Sequence, residues 1–171
     1  MREGNIAIEG NKIAAVGEIP ASWQPERTID AKDRLAVPGF VNAHTHASMT
    51  LLRSYADDMK LMDWLQQKIW PIEAKMRNED IYWGAMLAAV EMIQGGTTTF
   101  ADMYGPDMEK VAEVVEESGL RAVLSRGLIG VVPDADEKLT ENVELFKNWH
   151  QKAEGRITVM FGPHALYTCP P

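Results

Sequence analysis

Pro38-Gly39-Phe40-Val41-Asn42-Ala43-His44-Thr45-His46 is the stretch on which the reading of this chain turns. A short apolar run ends in two histidines at i and i+2. Side chains of a strand alternate between its faces, so His44 and His46 share one face and can aim two imidazoles at one point. A neutral imidazole nitrogen carries a free lone pair near pH 7 and is the commonest protein metal ligand. Two ligands do not close a site. Taken alone, the pair reads equally well as two polar residues closing a strand, and only its surroundings add weight.

Toward the N-terminus, residues 4–17 predict a β-hairpin. Ile6-Ala7-Ile8 and Ile13-Ala14-Ala15-Val16 flank Glu9-Gly10-Asn11-Lys12, a turn in which positive φ costs little. Residues 18–33 read as loop around Pro20 and Pro25, with a short strand near Thr28-Ile29-Asp30.

Toward the C-terminus, strands alternate with helices. Helices are expected over residues 61–76 and 79–94, the second with Asn78 as N-cap, Glu79 and Asp80 in its first turn and Gly95-Gly96 as its stop. Thr97 to Asp102 is a β-branched strand. Pro106 opens a helix that Gly119 ends, and Arg121 to Ser125 is the next strand. Residues 136–153 predict a helix with Leu139, Val143 and Phe146 on its apolar stripe, followed by a strand from Arg156 to Phe161. His150 falls on the same stripe and is expected at the surface or between helices.

Strands alternating with helices imply a parallel sheet and an α/β fold. A full (β/α)8 barrel takes about 250 residues, so these four strands would make half of one. The other arrangement is an open doubly wound sheet, but His44-Thr45-His46 stands where its glycine-rich phosphate loop belongs. Residues with chemistry gather at one end of the strands: His44 and His46 after the first, Asp102-Met103-Tyr104 after the second, Arg126 after the third and His164 after the fourth. Parallel α/β folds bind ligands at that end.

Composition narrows the class. The 171 residues are 46% hydrophobic and 25% charged, with a net charge of −8, as befits a globular protein with no general affinity for nucleic acid or anionic membranes. One cysteine, Cys169, excludes an internal disulfide and fits a reducing compartment. Neither a secretory leader at Met1-Arg2-Glu3-Gly4-Asn5 nor a bilayer-length apolar run is read, so the cytoplasm is the expected location.

Val37 to His46 resembles the first-strand motif of the amidohydrolase superfamily of metal-dependent barrel hydrolases. Gly4 to Gly17 resembles part of the β-sandwich that flanks the barrel there. Met49-Thr50-Leu51-Leu52-Arg53, Trp70-Pro71-Ile72-Glu73, Gly96 to Tyr104, Ser125-Arg126-Gly127 and Phe161-Gly162-Pro163-His164 together resemble the 5-methylthioadenosine/S-adenosylhomocysteine deaminases. Related triazine chlorohydrolases share much of the pattern. One departure is Ser54, where that family usually has glycine.

The resemblance implies a partial sandwich over residues 1–36 and the first half of a barrel over 37–171. It implies hydrolytic deamination of an adenosine-type nucleoside by metal-activated hydroxide, giving the inosyl product and ammonia. His44 and His46 would bind one divalent metal, Zn²⁺ or else Fe²⁺. Glu73 would hold the ribose hydroxyls, and Arg126 and His164 would contact substrate, the arginine at the amino-acid tail. The remaining ligands and the proton-transfer groups are expected beyond Pro171, on the second half of the barrel, so residues 1–171 alone are expected to be inactive. The full-length protein is expected to be a homo-oligomer acting on a small nucleoside. The alternatives are a triazine-type chlorohydrolase or other aminohydrolase of the superfamily, and a non-catalytic fragment that needs the missing half.

Several of these residues have plainer readings. Glu73 has Arg77 at i+4, a spacing that favours a surface salt bridge. Arg126 could cap a strand end, and His164 could be a satisfied loop histidine. Asp102 is expected in the barrel interior for packing and hydrogen bonding, without a metal role. Tyr104 is expected to pack, and Cys169 to be inert.

Overall fold

The β-branched residues of Thr97-Thr98-Thr99 favour an extended backbone, and they open the strand on which the parallel sheet is built. The computed structural model describes residues 3–169, and Met1, Arg2, Pro170 and Pro171 lie outside that range. The chain divides into two units, Met1–Val37 and Pro38–Pro171.

The first unit holds an antiparallel hairpin of β1 (Asn5–Glu9) and β2 (Lys12–Gly17). Its turn places Gly10 at φ 58°, the conformation that favoured glycine there. The expected strand near Thr28-Ile29-Asp30 does not form. Residues 24–30 pair with no strand, and Asp30 instead accepts a local hydrogen bond from the Lys32 amide at 3.0 Å.

The second unit is a four-stranded parallel sheet of β3 (Phe40–Thr45), β4 (Thr97–Met103), β5 (Arg121–Ser125) and β7 (Ile157–Val159), in that order. A doubly wound sheet reverses its strand order at a switch point. Here spatial order follows chain order throughout, as in successive units of a (β/α)8 barrel. A two-residue parallel ladder of β6 (Gly127–Leu128) and β8 (Gly162–Pro163) extends the strand ends, an addition too short to leave a periodic signal.

Helices cover one face of the sheet. α3 (Asn78–Gln94), α4 (Met108–Ser118) and α5 (Ala135–Trp149) pack Ile81, Ala85, Val111, Val115 and Leu145 against Phe100, Ala122, Leu124 and Ile157. Burying an aliphatic side chain of this size contributes about 1.5–3 kcal/mol. Gly119 ends α4 at φ 79°, and the Asp107 carboxylate caps its start by accepting from the Lys110 amide.

Several boundaries differ from expectation, among them the strand expected from Arg156 to Phe161, which forms over Ile157–Val159, and the helix expected from Pro106, which starts at Met108. The helix expected over 61–76 is interrupted: α1 (Leu61–Trp64) and α2 (Trp70–Glu73) are joined by a wider π-type turn over Leu65–Ile69, and Pro71 removes one backbone donor at the junction. α3 begins one residue early, because the Asp80 carboxylate accepts from the Arg77 amide at 2.9 Å. α5 ends at Trp149, and its buried face carries Asn142 and Leu145, while Leu139 and Phe146 of the expected stripe are exposed. His150 stacks on Phe146, with ring centroids 4.4 Å apart, and its Nδ1 accepts from the Val159 amide at 3.1 Å.

Candidate metal and substrate site

The histidine pair projects from the end of β3, where the strand gives way to a 3₁₀ turn over Ala47–Leu52. The Nε2 atoms of His44 and His46 lie 3.3 Å apart. Two ring nitrogens that close repel unless a proton or a cation lies between their lone pairs. A tetrahedral centre with Zn–N bonds of about 2.0–2.1 Å requires ligand nitrogens about 3.3–3.4 Å apart, a spacing that the pair matches.

The second nitrogen of His46 is already committed. Its Nδ1 donates to the Met103 carbonyl at 2.7 Å, which puts the ring proton on Nδ1 and leaves the Nε2 lone pair free. Burial lowers the His46 pKa, the Met103 carbonyl opposes that shift, and His44 adds to it. The neutral, ligand-competent ring is therefore favoured. Among the described residues, no group of three or more His, Cys, Asp or Glu side chains could hold a metal ion.

Asp102 corrects an expectation. It aligns with Thr45 across the β3–β4 ladder, and Thr45 lies between the two histidines on the opposite face. Asp102 therefore faces the helix layer and not the barrel interior. It is 1% exposed. One carboxylate oxygen accepts from the Ala47 amide at 3.1 Å, and the other has no partner among the described residues. Burial pushes its pKa up to about 7, against the hydrogen bonds it accepts.

Glu73 ends α2 and is half-buried. Its surface reading fails, because Arg77 pairs with Glu79 and Asp80. The Tyr104 hydroxyl instead donates to Glu73 Oε2 at 2.8 Å. Burial raises the Glu73 pKa, while the Tyr104 hydrogen bond and the nearby Arg126 charge pull it back. Tyr104 was expected only to pack, yet its ring also meets His46 edge-on, with centroids 5.3 Å apart.

Arg126 follows β5. Its Nε donates to Glu141 of α5 at 2.5 Å, and its side chain is 14% exposed. Its backbone amide donates to Asn142 Oδ1 at 2.6 Å. Neither terminal nitrogen of the guanidinium has a hydrogen-bond partner among the described residues. His164 stands apart from this group. It is exposed, with Nδ1 3.0 Å from the Thr168 hydroxyl and Tyr167 beside its ring. Cys169 directs its thiol to the Leu128 carbonyl at 3.1 Å.

The structure thus brings His44, His46, Tyr104 and Glu73 together in one chain of contacts, with Arg126 close enough to act on the Glu73 charge. The sequence reading did not single out Glu141 or Asn142. Both lie on a helix, where nothing local marks a partner at a strand end.

The family model described as the amidohydrolase family matches residues 35–171. The 5-methylthioadenosine/S-adenosylhomocysteine deaminase of Pelotomaculum thermopropionicum is 59% identical over 173 residues, a match covering 99% of this chain and 40% of that protein. The crystal structure of an adenosine deaminase from Xanthomonas campestris with bound zinc superposes with a TM-score of 0.75 at 36% identity, over 95% of this chain and 38% of that one. An atrazine chlorohydrolase from Arthrobacter aurescens, complexed with zinc, shares the fold with a TM-score of 0.79 at 24% identity, over 92% of this chain and 41% of that one. The chain spans about two fifths of the length of the curated relatives it matches.

Proposed function

We propose a function from one premise: this chain belongs to the amidohydrolase family. The reading is metal-dependent hydrolytic deamination of an adenosine-type nucleoside, 5-methylthioadenosine or S-adenosylhomocysteine, to the inosyl product and ammonia. It is assigned to the whole protein, to which residues 1–171 contribute part of the site. The observation that carries it is the pair of Nε2 atoms 3.3 Å apart, one ring held in its metal-binding tautomer, beside a half-buried carboxylate.

In this reading His44 and His46 hold one divalent cation, zinc or else ferrous iron. A cation bound there would lower the pKa of its water toward roughly 7 and so supply a nucleophile at neutral pH. Net reaction at the purine C6 consumes one water, breaks the C6–N bond and releases ammonia. The Met103 carbonyl keeps His46 in one tautomer throughout. Glu73 accepts hydrogen bonds from the ribose hydroxyls, which orients the nucleoside. The free terminal nitrogens of Arg126 receive the carboxylate of an amino-acid tail, a planar match for its fork, and His164 contacts the substrate from the end of the fourth strand.

The departing amine needs a proton. That donor, like the remaining metal ligands, is assigned to the part of the enzyme outside residues 1–171, and these residues alone are proposed to be inactive. The molecule is proposed to be a cytoplasmic homo-oligomer that binds neither nucleic acid nor membrane. Its described helices include none long and apolar enough to cross a membrane.

The test is ammonia release from 5-methylthioadenosine and S-adenosylhomocysteine by the full-length, metal-loaded protein. Stoichiometric ammonia with appearance of the inosyl chromophore is expected. Release of chloride from atrazine without ammonia from either nucleoside would overturn the reading in favour of a triazine chlorohydrolase.

A further inference from the structure

Tyr104 occupies a backbone conformation that its side chain does not favour. Its φ is 97°, in a region where a bulky L residue is a genuine outlier. Such outliers persist only when the surroundings hold them, and they concentrate at functional sites. From that conformation the phenol reaches α2. The hydroxyl donates to Glu73 Oε2 at 2.8 Å, over a separation of 31 residues. The ring edge meets His46, and the residue before Tyr104 supplies the carbonyl that fixes the His46 tautomer. Met103, the last residue of β4, and Tyr104, the residue after it, therefore touch both parts of the site.

Glu73 needs such an anchor. It ends a one-turn helix beyond a π-type turn, and Arg77, the cation one turn along, is engaged elsewhere. Among the described residues Tyr104 is the hydrogen-bond partner of its carboxylate, and Oε1 accepts no hydrogen bond. Each carboxylate oxygen has two acceptor sites, so Oε2 can hold Tyr104 and still take a hydroxyl from a ligand.

We propose that Tyr104 is a positioning residue for ribose recognition: it fixes the Glu73 carboxylate so that the two oxygens meet the 2′- and 3′-hydroxyls of the nucleoside. This inference rests on the reading of Glu73 as the ribose-binding carboxylate. Tyr104 itself touches no reacting atom. Its hydroxyl therefore governs discrimination between ribose and a sugar without the diol, and leaves turnover of bound substrate unaffected.

The experiment uses the full-length, metal-loaded enzyme with adenosine and 2′,3′-dideoxyadenosine as paired probes. Y104F removes one oxygen and keeps the ring against His46. It is expected to raise KM for adenosine about tenfold, the scale of a lost hydrogen bond to a charged group. The kcat for adenosine, the KM for dideoxyadenosine, the bound metal and the melting temperature should stay near wild type. E73A, measured in parallel, is expected to erase the preference for the ribonucleoside. If E73A leaves that preference intact, the reading of Glu73 fails. If E73A erases it but Y104F leaves both KM values unchanged, or raises them equally, Tyr104 has no positioning role and the reading of Glu73 survives. Loss of metal from Y104F would assign Tyr104 to the histidine pair and overturn the proposal. Should Y104F melt early, 3-fluorotyrosine at position 104, which keeps the donor, must restore adenosine KM, and failure to do so would also overturn it.

Discussion

Asn142 and Arg126 join a helix to a strand end: the buried Asn142 Oδ1 accepts the Arg126 backbone amide at 2.6 Å. The Nδ2 of the same side chain donates to the Met160 carbonyl at 3.2 Å, just beyond β7. One amide thus ties α5 to the ends of two strands and sets the rotation of the helix. Asn142→Leu keeps much of the volume but leaves both backbone groups without their partner. Each unsatisfied buried group costs about 1–3 kcal/mol. Denaturant unfolding of the full-length protein should show a loss of about 2–4 kcal/mol, with a higher KM for S-adenosylhomocysteine because Arg126 is displaced. A variant as stable as wild type would remove this bridge from the account.

Gly84 gives the histidine turn its seat. A Cβ at this position of α3 would lie 2.3 Å from the Ser48 carbonyl oxygen, a contact no side chain tolerates. The 3₁₀ turn over Ala47–Leu52 follows directly on His46, so a displaced turn moves a candidate ligand. Overpacking of this kind costs about 1–3 kcal/mol. Gly84→Ala should lower both the unfolding midpoint and the affinity for metal, measured by chelator competition. Unchanged metal affinity in a destabilised variant would separate the turn from the site.

Asp102 makes stability depend on pH in a definite direction. Its carboxyl titrates ordinarily near 3.8 and in the fold near 7, because burial disfavours the charge. Below the lower value both states hold the proton. Between the two values the folded state keeps a proton that the unfolded chain has released, so stability falls as pH rises, and the loss is complete above about pH 7. A shift of that size corresponds to ~4 kcal/mol. Asp102→Asn keeps an acceptor for the Ala47 amide and cannot ionise. Its unfolding free energy should vary less between pH 4 and 8 than that of wild type, with the variant gaining on wild type as pH rises. Parallel curves would contradict the assignment.

Much of this was legible in the sequence, and the exceptions share a cause. The alternation of strands and helices, the stop at Gly119 and the histidine pair all depend on residues within a few positions of each other, whereas the cap expected at Asn78 falls one residue earlier, at Arg77. What was missed depends on partners far along the chain. Glu73 is assigned to the ribose hydroxyls only through the family resemblance, because from the residues alone Arg77 at i+4 is its visible neighbour; in the fold Asp80 and Glu79 take that arginine, and Tyr104 reaches Glu73 from another strand end. The stripe of α5 was read as Leu139, Val143 and Phe146 by hydrophobicity, whereas a polar residue, Asn142, sets the buried face through two backbone bonds. Asp102 was given the wrong side of the sheet because its register with Thr45 is a property of strand pairing, which no single strand displays.

His44 and His46 are proposed to hold the divalent cation on which hydrolysis depends. The most direct measurement is metal content per chain, by inductively coupled plasma mass spectrometry, for the full-length wild type and for His44→Ala and His46→Ala. One equivalent is expected in the wild type, with less than a tenth of an equivalent and at least a thousandfold lower ammonia release in each variant, about 4 kcal/mol of transition-state stabilisation. A variant that kept a full equivalent of metal and wild-type turnover would contradict it.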